Sequence, residues 1–103
     1  MSKPIQDALK RVKTKLDTLV IDELPILNYY KYYLQKYQEH FGYYQQIYQH
    51  FFETILQNQK KPIDQTVILD YGGGTGMLSF IAYELGYKKL IYNDCYEGAL
   101  NSF

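Results

Sequence analysis

The sequence predicts an α/β chain in which a helical first half leads into a single βαβ unit. Apolar and aromatic side chains from Tyr30 to Ile55 recur in alternating steps of four and three, the repeat of a helix with one buried face. Val67, Ile68 and Leu69 form a short apolar run that ends in Asp70 and is followed by glycines at 72, 73, 74 and 76. A second run, Leu90, Ile91 and Tyr92, leads to Asp94 after an amphipathic stretch. Strand, helix and strand in that order point to a parallel sheet.

The first helix is expected over about residues 4–20. Ile5, Leu9, Val12, Leu16 and Leu19 share one face, and Ser2 and Pro4 suit its start. Lys10, Arg11, Lys13 and Asp17 occupy the opposite face and read as a solvated surface. Asp22, Glu23, Leu24 and Pro25 interrupt the pattern, because the residue before a proline avoids the helical region.

A second, longer helix is expected over about residues 27–60. Tyr30, Leu34, Tyr37, Phe41, Tyr44, Tyr48, Phe51 and Ile55 make a heptad-like seam, which Tyr29, Tyr33, Tyr43 and Ile47 widen. Gly42 lies off that seam and is a place for a bend. Lys60, Lys61 and Pro62 close the helix. Eight of the 13 tyrosines fall between positions 29 and 48. A tyrosine buries its ring while its hydroxyl reaches water or a partner, so a packing surface is the first reading of this helix. A lid over a cleft and a dimerisation seam are the others. The chain thus divides into a helical region, 1–62, and a βαβ region, 63–103.

In the second region, residues 67–69 read as a buried parallel strand and residues 89–93 as the next strand. Leu78, Ile81, Ala82 and Leu85 place a helix over residues 77–85, with Gly86 as its stop. The crossover is expected to be right-handed. The glycines let the backbone turn sharply and let a ligand come where a Cβ would collide. The helix start behind them offers unpaired N–H groups that suit a carboxylate or phosphate. Asp94, 24 positions after Asp70, can accept from both hydroxyls of a ribose.

Three nucleotide loops compete for this pattern. The phosphate loop of nucleotide hydrolases needs Lys and then Ser or Thr after its last glycine, but Met77 and Leu78 follow Gly76. The dinucleotide fingerprint G-x-G-x-x-G, started at Gly72 and Gly74, would need a glycine at Met77. What stands in the chain is D-x-G-x-G-x-G, with Asp70, Gly72, Gly74 and Gly76. This resembles the first motif of the class I S-adenosylmethionine-dependent methyltransferases, and Asp94 resembles that family's second acidic motif.

The resemblance, over about residues 67–98, implies a Rossmann-like domain of which the chain holds only the first βαβ unit, a truncated or fragmentary form. It implies S-adenosylmethionine as cofactor, with Gly72, Gly74 and Gly76 around the methionine part. Asp70 would support that loop and the cofactor's amino group, and Asp94 would hold the ribose. Cys95 and Tyr96 would stand beside the adenine. The implied activity is transfer of the sulfonium methyl group to an acceptor. The visible residues would hold the donor for in-line displacement, and none is a credible acid–base catalyst. The remaining strands and the acceptor pocket would lie beyond these residues, so the chain alone is expected to be inactive. A small-molecule acceptor is slightly favoured.

Composition narrows the alternatives. The 103 residues carry 11 basic and 11 acidic side chains, a balance that disfavours nucleic acid as the main partner. One cysteine excludes an internal disulfide and fits a reducing, cytoplasmic setting. No apolar run reaches a membrane-spanning length, and no apolar segment follows the N-terminal basic residues as a signal peptide requires. His40 and His50 have no evident metal partners, and Cys95 reads as a small packing residue. Two other functions stay open: a noncatalytic helical interaction or dimerisation module with a nucleoside-binding βαβ unit, and, more weakly, a fragment of an NAD-type oxidoreductase. Self-association is expected through the tyrosine-rich helix or an open sheet edge.

Overall fold

A computed structural model describes residues 2–94. They form a mixed α/β structure, mostly helical, with a small parallel sheet. Helix α1 spans Lys3–Asp17, α2 Asn28–Glu39 and α3 Phe41–Asn58. Strand β1 (Val67–Tyr71), helix α4 (Met77–Leu85) and strand β2 (Lys89–Asn93) follow. Single 3-10 turns at Ile21–Glu23 and Ile63–Gln65 carry the chain between α1 and α2 and from α3 into β1. No described helix is long and apolar enough to cross a membrane.

Helix α1 starts as its sequence dictates. Pro4 stands in the first turn and Ser2 is extended, its carbonyl accepting from the Gln6 N–H at 3.1 Å. Ile5, Ala8, Leu9, Val12 and Leu16 are buried on one face. The helix ends at Asp17, three residues short of the expected end, and the hydroxyl of its cap, Thr18, turns back to the Lys15 carbonyl at 2.6 Å. Leu19 still packs on the core from outside the helix.

The stretch expected as one helix over about 27–60 is two. The break is at His40, with φ −125° and ψ 36°, not at Gly42. His40 ends α2 by giving its N–H to the Lys36 carbonyl at 2.9 Å, and it starts α3 by accepting from the Tyr43 N–H at 3.0 Å. Tyr37 and Tyr44 meet edge-to-face across the break, ring centroids 4.6 Å apart. The expected seam holds through Tyr30, Leu34 and Phe41, then slips by one residue: Phe52 is fully buried while Phe51 is 41% exposed. A 3.5-residue repeat needs a supercoiled partner to stay in phase. A helix packed on a globular core drifts out of it.

The strands run parallel in the register Val67↔Lys89, Leu69↔Ile91, Tyr71↔Asn93. Strand β1 was expected to be buried on both faces and is buried on one. Ile68 and Asp70 turn inward, where Ile68 shares a core with Met77, Ile81 and Ala82 of α4 and with the buried faces of α1, α2 and α3. Val67, Leu69 and Ile91 on the other face are 57%, 60% and 54% exposed. Parallel sheets are ordinarily covered on both sides, and among the described residues only one side has its cover.

A charged clamp joins the first helix to the βαβ unit. Glu84 of α4, its side chain 7% exposed, takes Arg11 Nε at 3.1 Å on one carboxylate oxygen and Lys15 Nζ on the other. Arg11 also donates from Nη2 to the Glu84 carbonyl at 2.6 Å. The Lys15 hydrogen bond, helped by Arg11, holds the carboxyl below its ordinary value of 4.5 against the opposing effect of burial. A depressed folded-state value contributes stability above the unfolded-state value and loses it as pH falls. Glu84→Gln is therefore expected to cost about 1–2 kcal/mol at neutral pH, reduced by the half-exposed cationic partners. Denaturant unfolding should show that gap narrowing as pH drops below 4.5; an equal gap at pH 7 and well below 4.5 would contradict the clamp.

Candidate functional site

The glycine loop lies where the two strands end and α4 begins. Gly72, Gly74 and Gly76 have φ of 65°, 58° and 84°, a left-handed conformation that disfavours side chains with a Cβ. Sequence reasoning selected these three, and the backbone requires glycine at each. Gly76 caps α4, accepting from the Phe80 N–H at 2.9 Å. The loop is tied to β2 by the Gly73 N–H, which donates to the Asn93 carbonyl at 3.0 Å.

Gly73, absent from the expected site residues, is crowded where Gly72 and Gly74 are open. A Cβ there would lie 2.6 Å from Tyr92 Cε2 and 2.8 Å from Asp70 Cγ. Its φ is ordinary, so the demand is for space.

The structure brings the two aspartates to this one loop in different ways. Asp70 is buried beneath it and accepts from the Ser79 hydroxyl at 2.7 Å, linking the end of β1 to α4. Asp94 follows β2 and reaches over the loop. One of its oxygens accepts from the Gly74 N–H at 2.7 Å, and the other accepts from the Tyr30 hydroxyl of α2 at 3.0 Å. Tyr92 donates its hydroxyl to the Gly74 carbonyl, so both backbone polar groups of Gly74 are covered by side chains. Burial, with the Asp94 and Asp70 carboxylates beside it, pushes the Tyr92 phenol up to about 12. Tyr48 is raised as well, by burial first, then by Tyr37 and in smaller part by Asp70.

A cleft of about 210 Å³ separates the loop from α2. Gly72, Gly73, Gly74 and Thr75 form one wall, and Tyr29, Tyr30, Tyr33 and Tyr37 form the other. The tyrosine-rich helix thus faces the glycine loop.

Ser79, Tyr92 and Tyr30 are the partners that the sequence did not single out. Tyr92 was findable, since it pairs with Asp70 in the parallel register and paired residues share a sheet face. Tyr30 comes from 64 positions away; the helical seam marks it for burial, but nothing in a linear pattern marks it as the partner of Asp94. Cys95 and Tyr96, expected beside an adenine, lie outside the described residues. No group of three or more His, Cys, Asp or Glu side chains able to hold a metal occurs among the described residues. No protein-family model, curated protein or solved structure matches the chain.

Proposed function

We propose that residues 67–94 form the cofactor-binding start of an S-adenosylmethionine-dependent methyltransferase with a Rossmann-like core. One observation carries the proposal: a loop with three left-handed glycines, held between two strand-end carboxylates, whose Gly74 N–H already donates to a carboxylate oxygen. That oxygen belongs to Asp94 and marks where a ligand's own carboxylate would fit.

The fit is good at the methionine end and tight beyond it. A cleft of 210 Å³ is below the roughly 300–1,000 Å³ usual for ligand sites. Binding a whole nucleoside requires α2 to move outward and Asp94 to exchange the Gly74 N–H and the Tyr30 hydroxyl for ribose hydroxyls. Gly72, Gly74 and Gly76 then wrap the amino-acid end, and Asp70 braces the loop through Ser79. When bound, the sulfonium supplies an activated methyl group. The chain's residues bind and orient it and exclude water, and no acid–base catalyst is assigned among them. The acceptor is unidentified, with a small molecule slightly favoured, and the setting is cytoplasmic.

Equilibrium dialysis with labelled S-adenosylmethionine, competed by S-adenosylhomocysteine or NADH, tests this. Saturable binding competed only by the homocysteine nucleoside is expected, with loss on Asp94→Ala. Tyr30→Phe should tighten it by up to about tenfold, because a competing hydrogen bond to Asp94 is removed. Displacement by NADH alone, or binding indifferent to Asp94→Ala, would contradict the assignment.

The bare sheet face, with Val67, Leu69 and Ile91 each more than half exposed, favours a second reading as an interaction module that pairs with another chain. Sedimentation across a concentration series separates the two. Association abolished by Leu69→Lys with nucleoside binding intact would assign that face to assembly.

A further inference from the structure

We propose that the lysine-rich end of the sheet binds a compact polyphosphate group, two or more linked phosphates. The proposal does not depend on methyl transfer. The site lies where the strands start and the glycine loop where they end, roughly 16 Å apart by the rise of five strand residues.

Four of the chain's 11 basic residues fall in two short segments. Lys60 and Lys61 lie between α3 and β1, and Lys88 and Lys89 where β2 begins. All four are exposed. Among the described residues none of the four pairs with a carboxylate, whereas Lys3, Arg11, Lys13 and Lys15 each do. Asp64 is the one acid in residues 59–66 and 87–90. A single exposed lysine is a solvated surface group. Here lysines distant in sequence converge.

Hydrogen bonds bring the two segments together. The Thr66 hydroxyl donates back to the Pro62 carbonyl at 3.0 Å and to the Lys61 carbonyl at 3.3 Å. The Gln65 N–H donates to the Pro62 carbonyl at 2.9 Å, so residues 61–66 close on themselves. Tyr87 donates its hydroxyl to Gln59 Oε1 at 2.9 Å, and Lys89 Nζ donates to Gln65 Oε1 at 3.4 Å. Lys60 and Lys88 each follow one member of the first pair. Lys60, Lys61, Gln65 and Thr66 border a surface hollow of about 320 Å³, within the roughly 300–1,000 Å³ usual for ligand sites. The Lys89 bond is long, so Lys89 can exchange it for a stronger, charge-assisted one.

The charge balance selects the ligand class. Asp64 opposes the lysines with one negative charge, and the C-terminus of α3 at Asn58 with about half of one. Four full positive charges exceed that sum. A lone phosphate carries at most about two negative charges, whereas linked phosphates offer oxygens to several ammonium groups at once. Lysine is a compact point charge with three donors, suited to phosphate oxygens arriving from any direction. Nucleic acid is the poorer occupant, because no aromatic ring is among the described lining residues to stack on a base.

The experiment is an amide NMR titration of the full chain with sodium tripolyphosphate and, separately, with orthophosphate at matched ionic strength. Tripolyphosphate should shift the amides of residues 60–66 and 88–90 saturably and bind at least about tenfold more tightly than orthophosphate, weakening about fivefold or more as salt rises to about 150 mM. Lys61→Gln and Lys89→Gln should each weaken it about three- to fivefold. Both residues are exposed, so the variants should fold, as circular dichroism checks. Lys10→Gln, an exposed position on α1, should leave the affinity unchanged. Co-sedimentation with vesicles carrying phosphatidylinositol bisphosphate, competed by tripolyphosphate, would assign the phosphates to a lipid head group. Its failure with tripolyphosphate binding intact would assign them to a free anion. Equal affinity for orthophosphate, shifts as large around Lys10 and Lys13 as at the strand starts, indifference to both glutamine variants, or no saturable shift would overturn the proposal. Displacement of tripolyphosphate by a lower concentration of duplex RNA would overturn it in favour of nucleic acid.

Discussion

Phe52→Ala is expected to cost about 3–5 kcal/mol of stability, while Phe51→Ala costs less than about 1 kcal/mol. The two are neighbours of the same type, and only burial separates them. Phe52 is fully buried in the core that joins the helices to the βαβ unit. Its ring lies 6.2 Å from that of Tyr87. Tyr87 is itself fully buried, with its hydroxyl donating to Gln59 Oε1 at 2.9 Å. Removing the Phe52 ring leaves a cavity between α3 and the segment after α4, and the hydrogen-bonded Tyr87 ring cannot easily fill it. Phe51 stands at the rim and loses only partial contact. Urea unfolding followed by circular dichroism measures both. Equal losses would mean that α3 turns a different face to the core.

Gly73→Ala is expected to destabilise the chain by about 2–3 kcal/mol. The added Cβ would fall 2.6 Å from Tyr92 Cε2 and 2.8 Å from Asp70 Cγ and Oδ1. Neither neighbour yields freely. The Tyr92 hydroxyl is held on the Gly74 carbonyl and the Asp70 carboxylate on Ser79. Relief requires the loop to lift from β2, which would break the Gly73 N–H bond to Asn93. Gly72→Ala and Gly74→Ala meet no atom within 4 Å but must hold a φ of 65° or 58°, at about 1–2 kcal/mol each. Gly42→Ala meets nothing within 4 Å in the first turn of α3 and should gain up to about 1 kcal/mol. That order, 73 worst and 42 favourable, is read from four unfolding curves. A Gly73→Ala chain as stable as the unmodified one would contradict the close packing of the loop against Tyr92 and Asp70.

Both predictions touch the limits of what the linear sequence carries. The first helix, the helical character of the tyrosine-rich stretch, the two strands and the glycine loop were legible because each depends on local chemistry. Pro4 at a helix start, the break before Pro25, Gly86 in left-handed form at a helix end and left-handed glycines at 72, 74 and 76 are all properties of short segments. Phe52 was not legible, because choosing it over Phe51 depends on how far α3 drifts from a 3.5-residue repeat and on a break at His40 that no glycine or proline marks. Gly73 was missed because spacing motifs register only alternate glycines. Its crowding comes from Tyr92, on a different strand. The bare face of β1 was unreadable too: an apolar strand looks the same whether its second face is covered or open. Tyr30 on Asp94 is the extreme case, a contact across 64 positions that joins the tyrosine-rich helix to the loop.

The central claim is that this loop receives the amino-acid end of an adenosyl donor while Asp94 turns to the ribose. Amide NMR of the chain titrated with S-adenosylhomocysteine reads it directly. Saturable shifts at residues 72–76 and at Asp94, with the Gly74 amide losing its hydrogen bond to Asp94, are the predicted result. Shifts confined to the bare sheet face or to α1, with the Gly74 amide unmoved at saturating nucleoside, would contradict it.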